Sequence, residues 1–318
     1  MRRALLEKIS ALLKKNGFFV STFFDSNSCF DIIAKKNDSG TVIVKALENI
    51  DAIRPGQASE LERLAETFAC SALIVGEKTK AFALQDNTVY SRYGIYAVNF
   101  CTLENFFSGK IPSINYFKGK EIVELDPEQL RKRRLESHLS YASLADSLGT
   151  TIETLYRYEQ GNKASLEMAK RLEDFFGQGF VREIDFFERR EKSGHEVQEK
   201  TEAQKPKTGG EKNDIAERLQ SLGADVSVFR HATFHEAAFG GKERLVISEA
   251  HSKREIFRKA PALEKTGSAL AAHSVIFVDN PKDRKLHGFE TPLIEREEIA
   301  SISKFRDIIR LVKERKTE

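Results

Sequence analysis

The chain is short of the features that would place it in an oxidising compartment or a bilayer. Its 318 residues hold three cysteines, Cys29, Cys70 and Cys101, odd in number, far apart and without a Cys-x-x-Cys pair. That pattern speaks against a disulfide framework or a zinc ribbon and leaves the thiols as small buried hydrophobes in a reducing cytoplasm. No apolar run approaches the roughly 20 residues that cross a membrane. The opening, Met1-Arg2-Arg3-Ala4-Leu5-Leu6-Glu7-Lys8, breaks any apolar core with charges, so no signal peptide is expected. A large excess of one charge is also missing: the net +3 and pI near 8.6 permit nucleic acid without requiring it. From Glu188 to Asn213 almost every apolar residue is missing, with Val197 the one large aliphatic, and 188–213 is expected to be a charged flexible linker.

What is present suits a globular protein: 40% hydrophobic and 31% charged residues over a length that implies two or three domains. The stretch 125–177 is the most informative. Asp126-Pro127 is a helix start, with Leu130 and Leu135 as its apolar edge. Ser140 caps a second helix carrying Leu144, Ala145 and Leu148 at core spacing, stopped by Gly149. Thr151 caps a third, Ile152 to Gln160, closed by Gly161, and Leu166, Ala169, Leu172, Phe175 and Phe176 line the inner side of a fourth. Two short helices joined by a Gly-containing turn inside such a bundle form a helix-turn-helix.

These residues, with Leu139-Ser140, Leu155, Glu159 and Ser165-Leu166 at matching spacing, resemble the Cro/repressor (Xre) family of helix-turn-helix domains. The resemblance implies a recognition helix whose leading edge enters the major groove of double-stranded DNA while the preceding helix crosses the backbone. Carried over by position, the DNA-facing candidates are Tyr141, where the family often has Gln, and Thr151, Ile152, Glu153, Thr154, Tyr156 and Arg157. Arg157 suits guanine O6 and N7, Glu153 cytosine N4, and Ile152 or the Thr154 methyl a thymine methyl. Eight cations face nine anions across 126–177, so the module is not basic as a whole. Its cations are clustered, and Arg131, Arg133 and Arg134, with Lys163, are the candidate phosphate contacts.

In the N-terminal segment, Leu5, Leu6, Ile9, Leu12 and Leu13 follow helical spacing up to Asn16-Gly17. Three β-rich runs follow, 18–24, 29–34 and 41–47, punctuated by Asp25-Ser26-Asn27 and Asn37-Asp38-Ser39-Gly40, then a helix near 58–68 and a buried strand at 72–75. Weaker strands are expected near 81–84, 88–91 and 95–100, and a short helix at 103–107. Helix, three-strand meander, helix, strand resembles the PD-(D/E)xK restriction-endonuclease-like fold. That family implies an Asp on one strand, a (D/E)-x-K on the next, and Mg²⁺ held between them for phosphodiester hydrolysis. Asp31 and Lys45 fit the first and last of these, but Ile43 stands where the second carboxylate belongs. The expectation is a nuclease-derived scaffold that is not an enzyme, with no metal and no cofactor.

The last segment repeats this order: a helix at Ile215–Leu222, strands at 226–229, 234–239 and 245–247, a charged helix at 252–267, an apolar strand at 273–278, then 291–294 and a closing helix at 303–313. Asp31 falls near His235 or Glu236 in this second copy and Lys45 near Ser248, so no metal-and-lysine set survives. His231 and His235 stand four apart in a region that is not helical, which argues against a zinc pair. Gly240-Gly241-Lys242, followed by Glu243, is expected to be a hairpin turn and not a phosphate loop. The fold class is therefore multidomain α/β plus all-α: a nuclease-like α/β domain at 1–113, a Cro/repressor-type helix-turn-helix domain at 114–187, the linker, and a second, divergent α/β domain at 214–318.

Over its full length the chain resembles an archaeal family of helix-turn-helix-type transcriptional regulators, which implies transcription regulation. One recognition helix per chain further implies a homodimer reading half-sites about 34 Å apart, with the flanking α/β domains as the natural place for the dimer contact. A Mg²⁺-dependent DNA nuclease and an antitoxin-like protein-interaction module are the alternatives.

Overall fold

The computed structural model describes residues 2–24, 28–37, 40–188 and 214–316. Two expected features fall outside them: the linker beyond Glu188, and the centres of the turns at 25–27 and 38–39. The described chain begins with α1 (Arg2–Lys15), β1 (Phe19–Thr22), β2 (Ile32–Lys36), β3 (Gly40–Asn49), α2 (Pro55–Phe68) and β4 (Ser71–Lys78). It continues with β5 (Thr88–Arg92), β6 (Ile95–Val98), α3 (Phe100–Phe107), β7 (Ile114–Phe117) and β8 (Lys120–Val123). The helical stretch is α4 (Pro127–Glu136), α5 (Tyr141–Leu148), α6 (Ile152–Glu159), the two-residue β9 (Ala164–Ser165) and α7 (Leu166–Phe176). The rest is α8 (Asp214–Ser221), β10 (Asp225–Val228), β11 (Glu236–Gly240), β12 (Glu243–Ala250), α9 (Lys253–Leu270), β13 (His273–Val278), β14 (Leu293–Glu295), α10 (Arg296–Ala300) and α11 (Phe305–Lys316).

These elements form two compact units, and the chain changes unit inside β3, just before α2, near the start of β4 and after residue 188. The first unit holds the described residues of 1–46, 53–72 and 189–318. In it, β1, β2 and β3 form an antiparallel meander in which Ile32 faces Val44, with α1 laid on β1 and β2. The positions that repeat at helical spacing in α1, Leu5, Leu6, Ile9, Leu12 and Leu13, are all buried. The later part of the same unit repeats the layout: β10, β11 and β12 form a second antiparallel meander, and β13 and β14 add to β12 in parallel. Ile215, Leu219, Leu245, Ile247, Val275, Phe277, Ile308 and Val312 make its core. Gly240 pairs with Glu243 across the turn between β11 and β12, and Gly241 sits at φ 65°, so Gly240-Gly241-Lys242 is a hairpin.

The second unit holds 47–52 and 73–188. Here β4 pairs in parallel with β6, β6 antiparallel with β5, and β5 in parallel with β7. The hairpin β7–β8 turns on Lys118 and Gly119, both at positive φ, and β8 accepts the two residues of β9 on its other edge. This edge fastens the helices to the sheet. After α7 the chain returns along it: the N–H of Asp126 donates to the carbonyl of Phe180 at 2.6 Å, that of Arg182 to Glu124 at 2.8 Å and that of Ile184 to Pro112 at 2.7 Å. Phe186 then packs on Phe106, with ring centroids 4.4 Å apart.

Four local expectations need correction. Residues 81–84 form no strand, because the Thr79 hydroxyl takes the N–H groups of Ala81 and Phe82 and curls the chain into a turn. Leu135 and Phe175 share the helical period but lie 54% and 45% exposed, on the far side of their helices from the core. Cys101 is half-buried, whereas Cys29 and Cys70 are buried as expected. Burial pushes the Cys29 thiol well above its ordinary pKa, keeping it protonated and unreactive.

Candidate nucleic-acid interface

The helix-turn-helix is set by caps. The Asp126 carboxylate accepts from the N–H groups of Glu128 and Gln129 at 3.0 and 3.2 Å, Ser140 Oγ from Ser143, Thr151 Oγ1 from Thr154 and Ser165 Oγ from Met168. Between α5 and α6, Gly149 adopts φ 63°, a conformation open to glycine at little cost, and the Thr150 N–H returns to the Ala145 carbonyl at 2.9 Å. Leu130, Leu144, Ala145, Leu148, Leu155, Ala169 and Leu172 fill the space between the helices. Burying Leu155 turns the opposite side of α6 outward.

That outward side carries most of the expected base-facing residues. Ile152 is 48% and Tyr156 55% exposed; Thr151, Glu153 and Arg157 are also exposed, and Thr154 is half-buried with its hydroxyl 2.9 Å from that of Thr151. Of the cations on α4, Arg131 and Lys132 are exposed, Arg133 is half-buried and Arg134 is buried. Lys163 is exposed at the surface and lies 3.2 Å from Glu124.

Arg133, Arg134 and Tyr141 are placed differently from the expectation. Arg134 is 7% exposed and forms a two-pronged ion pair with Glu159 at 2.7 and 3.0 Å. Its third donation goes to the Leu139 carbonyl, and its guanidinium stacks 3.9 Å from the centre of the Tyr141 ring. The Tyr141 hydroxyl donates to the same Glu159 carboxylate at 2.6 Å. Burial alone would raise the Glu159 carboxyl pKa, but the donations from Arg134 and Tyr141 hold it below the ordinary value; both partners are raised by the same bonds. Arg133 donates to the Phe176 carbonyl at 2.7 Å and lies over the Phe180 ring, tying α4 to the end of α7. These side chains brace α6. Glu159 is the residue that sequence spacing missed as their hub, since its partners stand 18 and 25 positions upstream.

The first unit shows what has become of the nuclease-like positions. Asp31 and Lys45 are fully buried and adjacent: Asp31 Oδ2 accepts the Ala46 N–H at 2.8 Å, and Lys45 Nζ lies 3.3 Å from Oδ1. Arg2, from α1, contacts the same Oδ1, and Lys45 also donates to the Ser28 carbonyl at 2.6 Å. Burial pushes the Asp31 carboxyl pKa up, against the pull of Lys45, the Ala46 N–H and Arg2, and pushes the Lys45 ammonium down. These residues do not fit a divalent ion. A hard cation needs several oxygen ligands, yet one carboxylate stands here with two cations on it, and Ile43 is a buried alkyl side chain. Among the described residues, no group of three His, Cys, Asp or Glu side chains converges for a metal.

In the later part of the unit, His235 occupies the Asp31 position. Its N–H donates to the Ile247 carbonyl as that of Asp31 does to Val44, and its Nδ1 accepts the Glu249 N–H at 3.1 Å as Asp31 accepts Ala46. Ser248 accordingly falls at the Lys45 position. His231 is used differently, its N–H donating to Glu60.

The fold and the helical site together define a DNA-binding protein of the helix-turn-helix class carried on α/β sheets. The family described as helix-turn-helix matches residues 130–180, and that described as a PD-(D/E)XK superfamily domain matches residues 2–112. Full-length relatives narrow this. A protein of Archaeoglobus fulgidus is 30% identical over 100% of both chains. One of Methanothermobacter thermautotrophicus is 31% identical over 99% of this chain and 97% of its own. One of Pyrococcus furiosus is 29% identical over 98% of each. All three carry the name "Putative HTH-type transcriptional regulatory protein". The chain belongs to this archaeal family of HTH-type transcriptional regulatory proteins. No solved structure is significantly similar to it. No helix among the described residues is long and apolar enough to cross a membrane.

Proposed function

We propose that the protein is a sequence-specific regulator that binds double-stranded DNA as a homodimer in the cytoplasm, with the leading edge of α6 in the major groove. The observation that carries this is the orientation of α6: Leu155 and the braced Glu159 hold it from inside, while Ile152, Glu153, Tyr156 and Arg157 stand free of the core. Arg157 is then the guanine reader, Ile152 and the Thr154 methyl meet thymine, and Glu153 accepts from cytosine. Arg131, Lys132 and Lys163 supply phosphate contacts, whereas Arg133, Arg134 and Tyr141 act by holding the helices together. Two copies are required because one short helix reads only a half-site.

The PD-(D/E)XK part is read as a scaffold and not as an enzyme. Ile43 in place of a carboxylate, and Arg2 seated where a metal's charge would be needed, support that reading. Selection of bound fragments from random DNA, followed by footprinting, tests the whole proposal. A two-fold symmetric site with half-sites one turn apart is expected, and Arg157→Ala should cost about 1–3 kcal/mol at one base pair in each half. Equal affinity for all sequences, or an Arg157→Ala protein with unchanged preference, would overturn it.

A further inference from the structure

Within the first unit the two meanders meet through contacts that come in equivalent pairs. Phe23 and Phe229 correspond, because each follows the first strand of its meander and donates its N–H at 2.7 Å to the carbonyl of the residue that opens the second, Asp31 or His235. Phe30 and Phe234 correspond in the same way, and each stands edge-on to its partner ring at 5.1 Å. Helices α2 and α9 correspond through their ends, since both stop at an alanine in the left-handed conformation, Ala69 at φ 55° and Ala271 at φ 52°. Counting back from those alanines aligns Arg63 with Lys265.

Arg63 lies over the Phe229 ring, with its guanidinium carbon 5.1 Å from the centroid, and Lys265 lies over the Phe23 ring at 5.3 Å. So α2 of the early half places a cation on the aromatic of the late half, and α9 of the late half does the same to the early one. A contact from i to j accompanied by one from the equivalent of j to the equivalent of i is the mark of an isologous, two-fold interface. Other bonds fasten the same face. Glu60, 6% exposed, accepts the N–H groups of Arg230 and His231 at 2.9 and 2.6 Å; Cys29 donates its N–H to the His231 carbonyl; Thr67 Oγ1 is 3.3 Å from Ser227 Oγ. Phe68 packs edge-on against Phe234 and Phe239.

We infer that the face formed by α2 and the first meander is a dimerisation surface for a second copy of the same α/β fold, and that residues 214–316 are that copy, supplied in cis. The chain is thus an internal pseudo-dimer carrying a single helix-turn-helix. This goes beyond the DNA-binding reading and does not depend on it. It also changes where two chains on DNA can meet: the faces of α2 and α9 are already occupied within one chain, so the contact expected of the flanking α/β regions must use another surface.

The test is done on the full chain without DNA. Thr67→Cys and Ser227→Cys are introduced together, joined by oxidation or a short bismaleimide, and the linked peptides are mapped. A link within one chain, formed to the same extent over a hundredfold dilution, is the expected result. Links between chains, or no link, would overturn the inference. Amide exchange in the unaltered protein gives an independent reading: the N–H groups of Arg230 and His231 should exchange slowly at concentrations where sedimentation shows monomer, and rapid exchange there would refute the cis contact. A failure of DNA selection would leave both results untouched, so the two readings fall separately.

Discussion

Replacing Arg134 by alanine separates a bracing role from a DNA contact. Arg134 and Glu159 have side chains 8% and 3% exposed, and the guanidinium makes two bonds to the carboxylate and one to the Leu139 carbonyl. Removing one member of a buried pair typically costs about 3–5 kcal/mol, because the other charge is left without compensation. Glu159 would keep the Tyr141 hydroxyl at 2.6 Å, so the lower end of that range, about 3 kcal/mol, is expected. At roughly tenfold per 1.4 kcal/mol, the α6 amides of Leu155 and Tyr156 should then exchange about a hundredfold faster. Arg134→Met with Glu159→Leu removes both charges and should recover most of the loss. DNA affinity of Arg134→Ala should fall for all sequences with the salt slope unchanged, since no phosphate contact is lost. Unchanged exchange together with a flatter salt slope would show that Arg134 faces the backbone, and the bracing argument would fail.

Arg131→Ala, at an exposed site on α4, should leave exchange in α6 unaltered but flatten the salt dependence of binding by about one phosphate contact, read from titrations between low and moderate salt. His235 tests burial in the first unit. Desolvation, with Lys259 nearby, lowers its pKa to about 4 from 6.5, so the folded chain binds fewer protons than the unfolded one. Its stabilising contribution is complete above about pH 6.5 and is lost as pH falls toward 4, on the order of 2–3 kcal/mol. His235→Gln, which keeps an acceptor for the Glu249 N–H, should remove that acid sensitivity in urea titrations, and an unchanged pH profile would exclude His235 as its source. Gly240→Ala would drive a methyl group into the Phe305 ring, costing about 1–3 kcal/mol. Thermal melting checks this, and a neutral result would mean that α11 can shift to make room.

Much of the helical module was legible in the chain because its information is local. Caps at Asp126, Ser140, Thr151 and Ser165 act within three residues of themselves, and Gly149 needs only its own backbone angle. Leu144, Ala145 and Leu148 on α5 and Leu155 on α6 then determine which side of each helix turns inward, and so which residues of α6 can reach a partner. Charge clustering set Arg133 and Arg134, and family position set Tyr141, against DNA, because neither kind of signal says what the polar end of a side chain finds. Glu159 and the Phe176 carbonyl enter their reach only when four helices close together. Leu135 and Phe175 failed likewise: periodicity marks a stripe, and packing decides how wide it is.

Sequence alone therefore determined the four helices of the helical module, the turn between α5 and α6, the meander order in both α/β stretches and the missing carboxylate at Ile43, all consequences of nearest-neighbour spacing and side-chain chemistry. Tertiary structure decided which charges are spent internally, that Arg2 joins Asp31, and that the two meanders face each other through Glu60, Phe68 and Lys265. The reason is distance along the chain. The Lys265 ammonium and the Thr22 carbonyl meet across 243 positions, and the energy of such contacts depends on burial that no local pattern records.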